Sequence, residues 1–143
     1  MNYDSLKLEN QLCFPLYACS KEIIKKYKPY LDPLGITYTQ YITLMVLWEE
    51  NNITVKTLGE RLYLDSGTLT PLLKKMESQG LVTRERSPKD ERNVYIKLTE
   101  RGRTLKDQAL TVPQQIGSCI SLPLDEMISL RNTLNKVLAQ LSE

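Results

Sequence analysis

A chain of 143 residues, 41% hydrophobic and 25% charged, has the length of one domain and enough apolar material for a core, which excludes a disordered chain. The absence of histidine excludes His-based triads and His-ligated metal sites, three cysteines without CxxC spacing argue against a disulfide scaffold or zinc, and no apolar run reaches a membrane span. A net charge of +2 leaves nucleic-acid binding to be judged from local clusters, and the opening MNYDSLKLENQ lacks the regions of a signal peptide, so a cytoplasmic location is expected.

In chain order, residues from about Leu6 to Leu31 read as a long, tyrosine-rich helix interrupted near Pro15, and Asp32-Pro33-Leu34-Gly35 as a turn. Thr39 to Glu50, with apolar Tyr41, Ile42, Met45, Val46 and Trp48, reads as a second, nearly all-buried helix closed by Asn51-Asn52. Thr54 is placed to cap a short helix, Val55 to Tyr63, with Leu58 and Leu62 inward. Asp65 or Ser66 caps a fourth helix to about Gln79, and Gly80 occupies the C′ position. Leu81 to Arg86 and Asn93 to Leu98 alternate as strands do, around the charged tip Ser87 to Arg92. Thr99 caps a fifth helix that meets Pro113, and Pro123 opens a final helix with Met127, Leu130, Leu134, Val137, Leu138 and Leu141 inward.

This order predicts a mainly α fold with a small β-wing (α+β), one domain over 1–143. A winged helix-turn-helix lobe spans about 38–98. The helical regions at about 5–34 and 99–143 carry more apolar surface than one small domain covers, which predicts a homodimer interface.

On a helical wheel the fourth helix turns Leu69, Leu72, Leu73 and Met76 to the core and Gly67, Pro71, Lys74 and Ser78 away from it, flanked by Thr70 and Lys75. A small, hydroxylic and basic face suits a major groove: small residues permit approach, hydroxyls reach bases or phosphates, and lysines neutralise phosphates. Pro71 removes one backbone hydrogen bond, tolerable early in a helix. Arg84, Arg86, Lys89 and Arg92 cluster around the hairpin, where arginine on a narrow ribbon can enter a minor groove, and Asp90 can orient Arg92. The expected DNA-contacting set is Ser66, Gly67, Thr68, Thr70, Pro71, Lys74 and Lys75 with Arg84, Arg86, Lys89, Asp90 and Arg92.

Three motifs carry a resemblance: LGERLYLDSGTLTPLLKK over Leu58 to Lys75, Asp90-Glu91-Arg92-Asn93 in the wing, and Gln11-Leu12-Cys13-Phe14 near the start. With these the chain resembles the MarR family over nearly its whole length, and within it the organic-hydroperoxide-sensing branch, the OhrR and SarZ type. The resemblance implies a two-fold homodimer on a pseudo-palindromic DNA operator, usually a repressor rather than an enzyme, without a cofactor. Oxidation of a sensing cysteine by an organic hydroperoxide or a small thiol oxidant releases the DNA.

Taken alone, Cys13 on an apolar helix face reads as a small core residue. Its surroundings point further. Tyr17, Tyr27, Tyr30, Tyr38 and Tyr41 concentrate phenols, and Cys13, Leu16, Tyr17, Ser20, Ile24 and Tyr27 share one broad face of the first helix, while Cys19 points elsewhere and reads as structural. A phenol can donate to a thiolate, and a thiolate attacks a peroxide O–O bond to become a sulfenic acid. A continuous helix holds Cys13 and Tyr27 about 21 Å apart. They meet only if the first helices of two subunits cross antiparallel. The resemblance implies the same, with Tyr27 and Tyr38 reaching the thiol from the partner and Tyr17 from its own helix. Pro15 departs from related sequences, which usually have a helix former there. Either the helix kinks, or it begins near Pro15 and leaves Cys13 beside a helix N-terminus whose dipole favours a thiolate. Branch members carry one reactive cysteine or two, and Cys119 falls about where a resolving cysteine would lie; an idle thiol is the alternative. Other readings stay open: a regulator binding a small phenolic ligand in a cleft, a thiol peroxidase, or a winged helix used only for protein interaction.

Overall fold

The computed structural model, which describes residues 1–142, opens with two single-turn 3-10 helices, Asp4–Leu6 and Leu8–Asn10, before helix α1, Cys13–Leu31. The helix expected from Leu6 thus begins at Cys13. Pro15 lies in the first turn, where a helix does not use its amides, so no kink is needed. Upstream, the Gln11 side-chain amide donates to the Ser5 and Lys7 carbonyls at 2.7 and 2.8 Å, which holds the arm in tight turns.

After a 3-10 turn at Asp32–Leu34, α2 runs from Tyr38 to Glu49. Its start is a capping box: Thr37 Oγ1 accepts from the Gln40 amide, and Gln40 Oε1 accepts from the Thr37 amide. Leu44 and Leu47 are core residues, but Met45, expected inside, is exposed, and Ile42 and Trp48 are half-buried. Trp48 Nε1 donates to the Gly102 carbonyl at 2.9 Å. Strand β1, Ile53–Thr54, leads into α3, Val55–Leu62, with Thr54 Oγ1 accepting from the Thr57 amide. Tyr63 closes α3 in the left-handed region (φ 57°). Asp65, rather than Ser66, caps α4, Ser66–Ser78, by accepting from the Thr68 amide at 2.8 Å. Gly80 follows with φ 76°, a conformation that favours glycine.

Strands β2, Val82–Arg86, and β3, Val94–Leu98, pair antiparallel from Val82 opposite Leu98 to Arg86 opposite Val94. The sheet has a third strand that periodicity did not announce. β1 pairs with β3, giving the order β1-β3-β2. Thr99 caps α5, Glu100–Ala109. α5 was expected to reach Pro113, but it stops at Ala109, because Pro113 has no N–H to offer the Ala109 carbonyl; α6 then covers Val112–Gly117. α7 spans Leu124–Leu141 with Pro123 as its N-cap.

By contacts the chain groups into residues 1–112 and the residues from 113 onward. α5, expected in the terminal helical region, belongs to the first unit. Its Gly102 lies so close to the Leu81 carbonyl that a Cβ there would collide, and Leu105 and Ala109 are buried. The first unit's core is built on Leu44, Leu47, Leu58, Leu69, Leu73, Met76, Leu81 and Ile96. In the second unit, α7 buries no side chain: Met127, Val137 and Leu138 are half-buried, and Leu130, Leu134 and Leu141, expected inward, are exposed. No helix among the described residues is long and apolar enough to cross a membrane.

Candidate DNA-reading face and thiol site

α4 turns Leu69, Leu73 and Met76 into the core and leaves Ser66, Gly67, Thr68, Pro71, Lys74 and Lys75 exposed, with Thr70 half-buried. The helix runs through Pro71. The carbonyl that loses a partner belongs to Gly67, which is exposed and so can be solvated. Small side chains on the N-terminal half and two lysines on the C-terminal half give the chemistry a groove-bound helix uses.

The hairpin tip is closed by backbone bonds from Ser87 N–H to the Asn93 carbonyl and from Asn93 N–H to the Asp90 carbonyl. Asp90 grips Arg92 through three bonds: Arg92 Nε and backbone N–H donate to Asp90 Oδ1 at 3.1 and 3.0 Å, and a terminal guanidinium nitrogen donates to Oδ2 at 3.3 Å. The Arg92 guanidinium holds the Asp90 carboxyl below the usual carboxylate range, with the Arg92 amide adding to it. Arg92 nevertheless stays almost fully exposed, an aimed but unshielded cation. Arg86 is set by a 2.8 Å bond to the Glu91 carbonyl, and Lys89 is exposed at the tip.

Arg84 stands apart from these. It shares the strand face of buried Val82 and turns back on α4, where its backbone N–H donates to Glu77 at 3.3 Å and its Nε lies 3.7 Å from the same carboxylate. Strand alternation held this signal, since Val82 and Arg84 are two apart.

The thiol and the phenols occupy opposite ends of α1. Cys13 is the first helical residue and is exposed. At the other end Tyr27 packs against Tyr38 and Tyr41, with ring centroids 4.8 and 5.7 Å away, and Tyr38 and Tyr41 are 6.4 Å apart. Tyr41, three residues after Tyr38, completes a trio that a two-tyrosine site omits. Burial pushes the Tyr27 hydroxyl up to about 12, with Tyr38 and Tyr41 adding to the shift, and burial likewise raises Tyr38 and Tyr41. The phenols therefore keep their protons and have them available to donate. Tyr17 lies nearer Cys13 on the same helix, exposed, with Lys21 Nζ 5.1 Å from its ring centre. A single chain does not bring Cys13 and Tyr27 together, because α1 is unbroken between them and fourteen residues of helix rise about 21 Å.

Cys19, expected to be structural, is exposed in the single chain. Cys119, just beyond α6, is exposed too, with Sγ 3.7 Å from the Gln115 carbonyl. Among the described residues no group of three His, Cys, Asp or Glu side chains forms a metal site.

Residues 25–109 match the family model of the transcriptional regulator SarA/Rot. The chain is 52% identical over 141 residues to the organic hydroperoxide resistance transcriptional regulator of Bacillus subtilis, a match covering 99% of this chain and 96% of that protein. It is 50% identical over 127 residues to the HTH-type transcriptional regulator SarZ of Staphylococcus saprophyticus, covering 89% and 87%. Among solved structures it resembles reduced AbfR bound to DNA, a protein of Staphylococcus epidermidis, with a TM-score of 0.81 and 38% identity over all of both chains. Against the disulfide form of AbfR the TM-score is 0.66, at 38% identity over 94% and 95% of the chains.

Proposed function

The chain belongs to the MarR family of winged-helix regulators, in the branch that senses organic hydroperoxides, and from that premise we propose that it grips a pseudo-palindromic operator as a homodimer and lets go when Cys13 is oxidised. It is a DNA-binding transcription regulator. The observation that carries the sensing scheme is the unbroken α1. A thiol at its first residue and proton-bearing phenols at its far end complete one another only if two copies of the helix cross antiparallel, so that each thiol meets the partner's Tyr27 and Tyr38.

In that arrangement the phenolic hydrogens stabilise the Cys13 thiolate, with Tyr17 contributing from its own helix. The sulfur attacks the distal peroxide oxygen, the O–O bond breaks, and the electron pair leaves with the alkoxide. The alkoxide takes a proton and departs as an alcohol, leaving a sulfenic acid. An exposed Cys119 suits attack on the partner's sulfenic sulfur, forming a disulfide and expelling water. A small cellular thiol does the same chemistry in the alternative scheme.

On the DNA side, Arg92 enters a minor groove under Asp90's grip, with Arg86 and Lys89 beside it. Ser66, Gly67, Thr68, Thr70, Pro71, Lys74 and Lys75 face the major groove. Arg84 ties β2 to α4 and so fixes the wing against the reading helix. The cytoplasm, where thiols rest reduced, suits the scheme.

The test is operator binding by the full-length chain before and after an organic hydroperoxide, then after a reductant. Cys13→Ser is expected to bind DNA like the parent and to ignore the oxidant. A variant that still dissociates on oxidation places the sensor elsewhere. A second reading, a small phenolic ligand, is favoured by a cleft of about 240 Å³ with Ile24, Leu31, Ile36 and Tyr38 on its walls and Lys25, Lys28, Asp32 and Thr37 around them. Release of DNA by such a ligand, unchanged in Cys13→Ser, supports it.

A further inference from the structure

Only two polar residues, Gln40 and Thr43, are buried in the core among the described residues. Thr43 is satisfied within its own helix, its hydroxyl donating to the Thr39 carbonyl at 2.7 Å. Gln40 is bonded across the fold. It is 1% exposed, and its Nε2 donates to Gln79 Oε1 at 3.0 Å, 39 residues further along the chain. Its Oε1 is taken by the Thr37 amide in the capping box of α2.

Gln79 is the residue that ends α4. Its own Nε2 donates to the Gly35 carbonyl at 3.2 Å, in the turn before α2, and its backbone carbonyl accepts from Arg101 on α5 at 2.6 Å. The two amides therefore join the start of α2 to the end of the reading helix at a side-chain, not a backbone, junction. Tyr38 lies between Thr37 and Gln40 in the first turn of α2, so the element that carries a phenol of the thiol site also carries this bond.

An apolar contact between α2 and α4 would let one helix slip against the other at little cost, because dispersion and burial are non-directional. A buried amide pair is directional. A shift of about an ångström between the first turn of α2 and the last of α4 stretches a 3.0 Å bond out of range and takes the partner from Gln40 Nε2, on a side chain that is 1% exposed. The alternatives are then that α4 follows α2, or that the bond breaks as a unit, and both convert a small displacement at Tyr38 into a discrete change at the reader.

We propose that the Gln40–Gln79 hydrogen bond positions α4 relative to the thiol site and carries the oxidation signal to it, so that its loss uncouples sensing from reading. The inference rests on the reading of Cys13 as the sensor. Neither glutamine touches DNA or thiol in this scheme; both act through the elements they join.

The experiment measures the operator dissociation constant of the full chain, reduced and after organic hydroperoxide, with Cys13 oxidation followed separately by mass. The coupling is the ratio of the two constants. The double variant Gln40→Met/Gln79→Met removes both partners of the 3.0 Å bond together, at the cost of the Thr37 and Gly35 backbone bonds at the exposed start of α2, which solvent can satisfy. It is expected to bind DNA within about threefold of the parent when reduced and to oxidise at the same rate, while the ratio falls about fivefold or more. Gln79→Glu keeps an acceptor for Gln40 Nε2 while giving up the donor to the Gly35 carbonyl, and is expected to retain most of the parent ratio, whereas Gln79→Met loses it. These two changes, at a half-buried helix end, carry the test if the double variant does not fold. A ratio equal to the parent's in Gln79→Met, with Cys13 fully oxidised, overturns the proposal, as does an equal loss in Gln79→Met and Gln79→Glu. A parent that holds its DNA with Cys13 oxidised removes the sensor reading and the link with it; a responsive parent beside an equally responsive variant removes the link alone.

Discussion

The middle and the ends of this chain bury their apolar residues very differently. α2 places six of its 12 residues in the core, whereas α1 buries Leu31 alone among 19 and α7 buries none of 18. Yet α1 offers Leu16 and Ile24, and α7 offers Ile128, Leu130 and Leu134, as exposed apolar side chains. The reading lobe is finished by its own sequence. The terminal helices leave apolar side chains exposed, the surface that the proposed dimer would cover.

The contrast breaks most sharply under equal truncations. Leu73→Ala, in the fully buried face of α4, is expected to cost about 2–5 kcal/mol, seen as a lower urea midpoint at any protein concentration. Leu134→Ala removes the same atoms from α7. If α7 packs on a second copy, the change is expected to cost less and its cost to fade on dilution, as parent and variant both dissociate to monomers. Equal, concentration-independent losses would show that α7 is completed within one chain.

A smaller effect sharpens the DNA side. Arg92→Ala is expected to weaken operator binding by about 1–3 kcal/mol without moving the unfolding midpoint, since the guanidinium is almost fully exposed. Affinity unchanged across a salt titration would take the wing out of DNA reading.

The smallest effect concerns the phenols. Tyr27 holds its proton to about 12, against an ordinary value of 10.0. Between those two values the folded chain keeps a proton that the unfolded chain has lost. Stability should therefore be whole below pH 10 and fall as pH rises towards 12. Tyr27→Phe should flatten this alkaline slope, read from thermal midpoints. A slope that survives the substitution would assign it to other groups.

What the sequence revealed was mostly local. Thr54 and Thr99 satisfy backbone amides three residues away and Gly80 takes the left-handed turn after α4, so spacing alone identifies them, while for α4 it narrowed the cap to Asp65 or Ser66 and the structure decides for Asp65. The Asp90–Arg92 clasp is two residues long and was equally visible. β1 was not, because two residues hold no alternation to read; its existence depends on β3, more than 40 residues later. Arg84 was legible as a wing arginine but not as a brace, since Glu77 lies on another element. The Gln40–Gln79 bond joins positions whose neighbourhood only the folded lobe creates. In the thiol site, helix length already separated Cys13 from Tyr27, and the uninterrupted α1 leaves that separation standing.

That separation has a genetic consequence. If each thiol borrows its phenols from the other subunit, every dimer contains two sensors, each made of halves from different molecules. Mix a Cys13→Ser protein with a Tyr27→Phe protein, each impaired alone, and a heterodimer holds one ruined sensor with both defects and one with neither. The intact one pairs the thiol of the second protein with the phenols of the first. Two alleles that fail separately would then complement when expressed together, reaching at most half of the sensors in the heterodimers, and redesigning the α1 surface so that the two chains cannot pair would abolish the rescue.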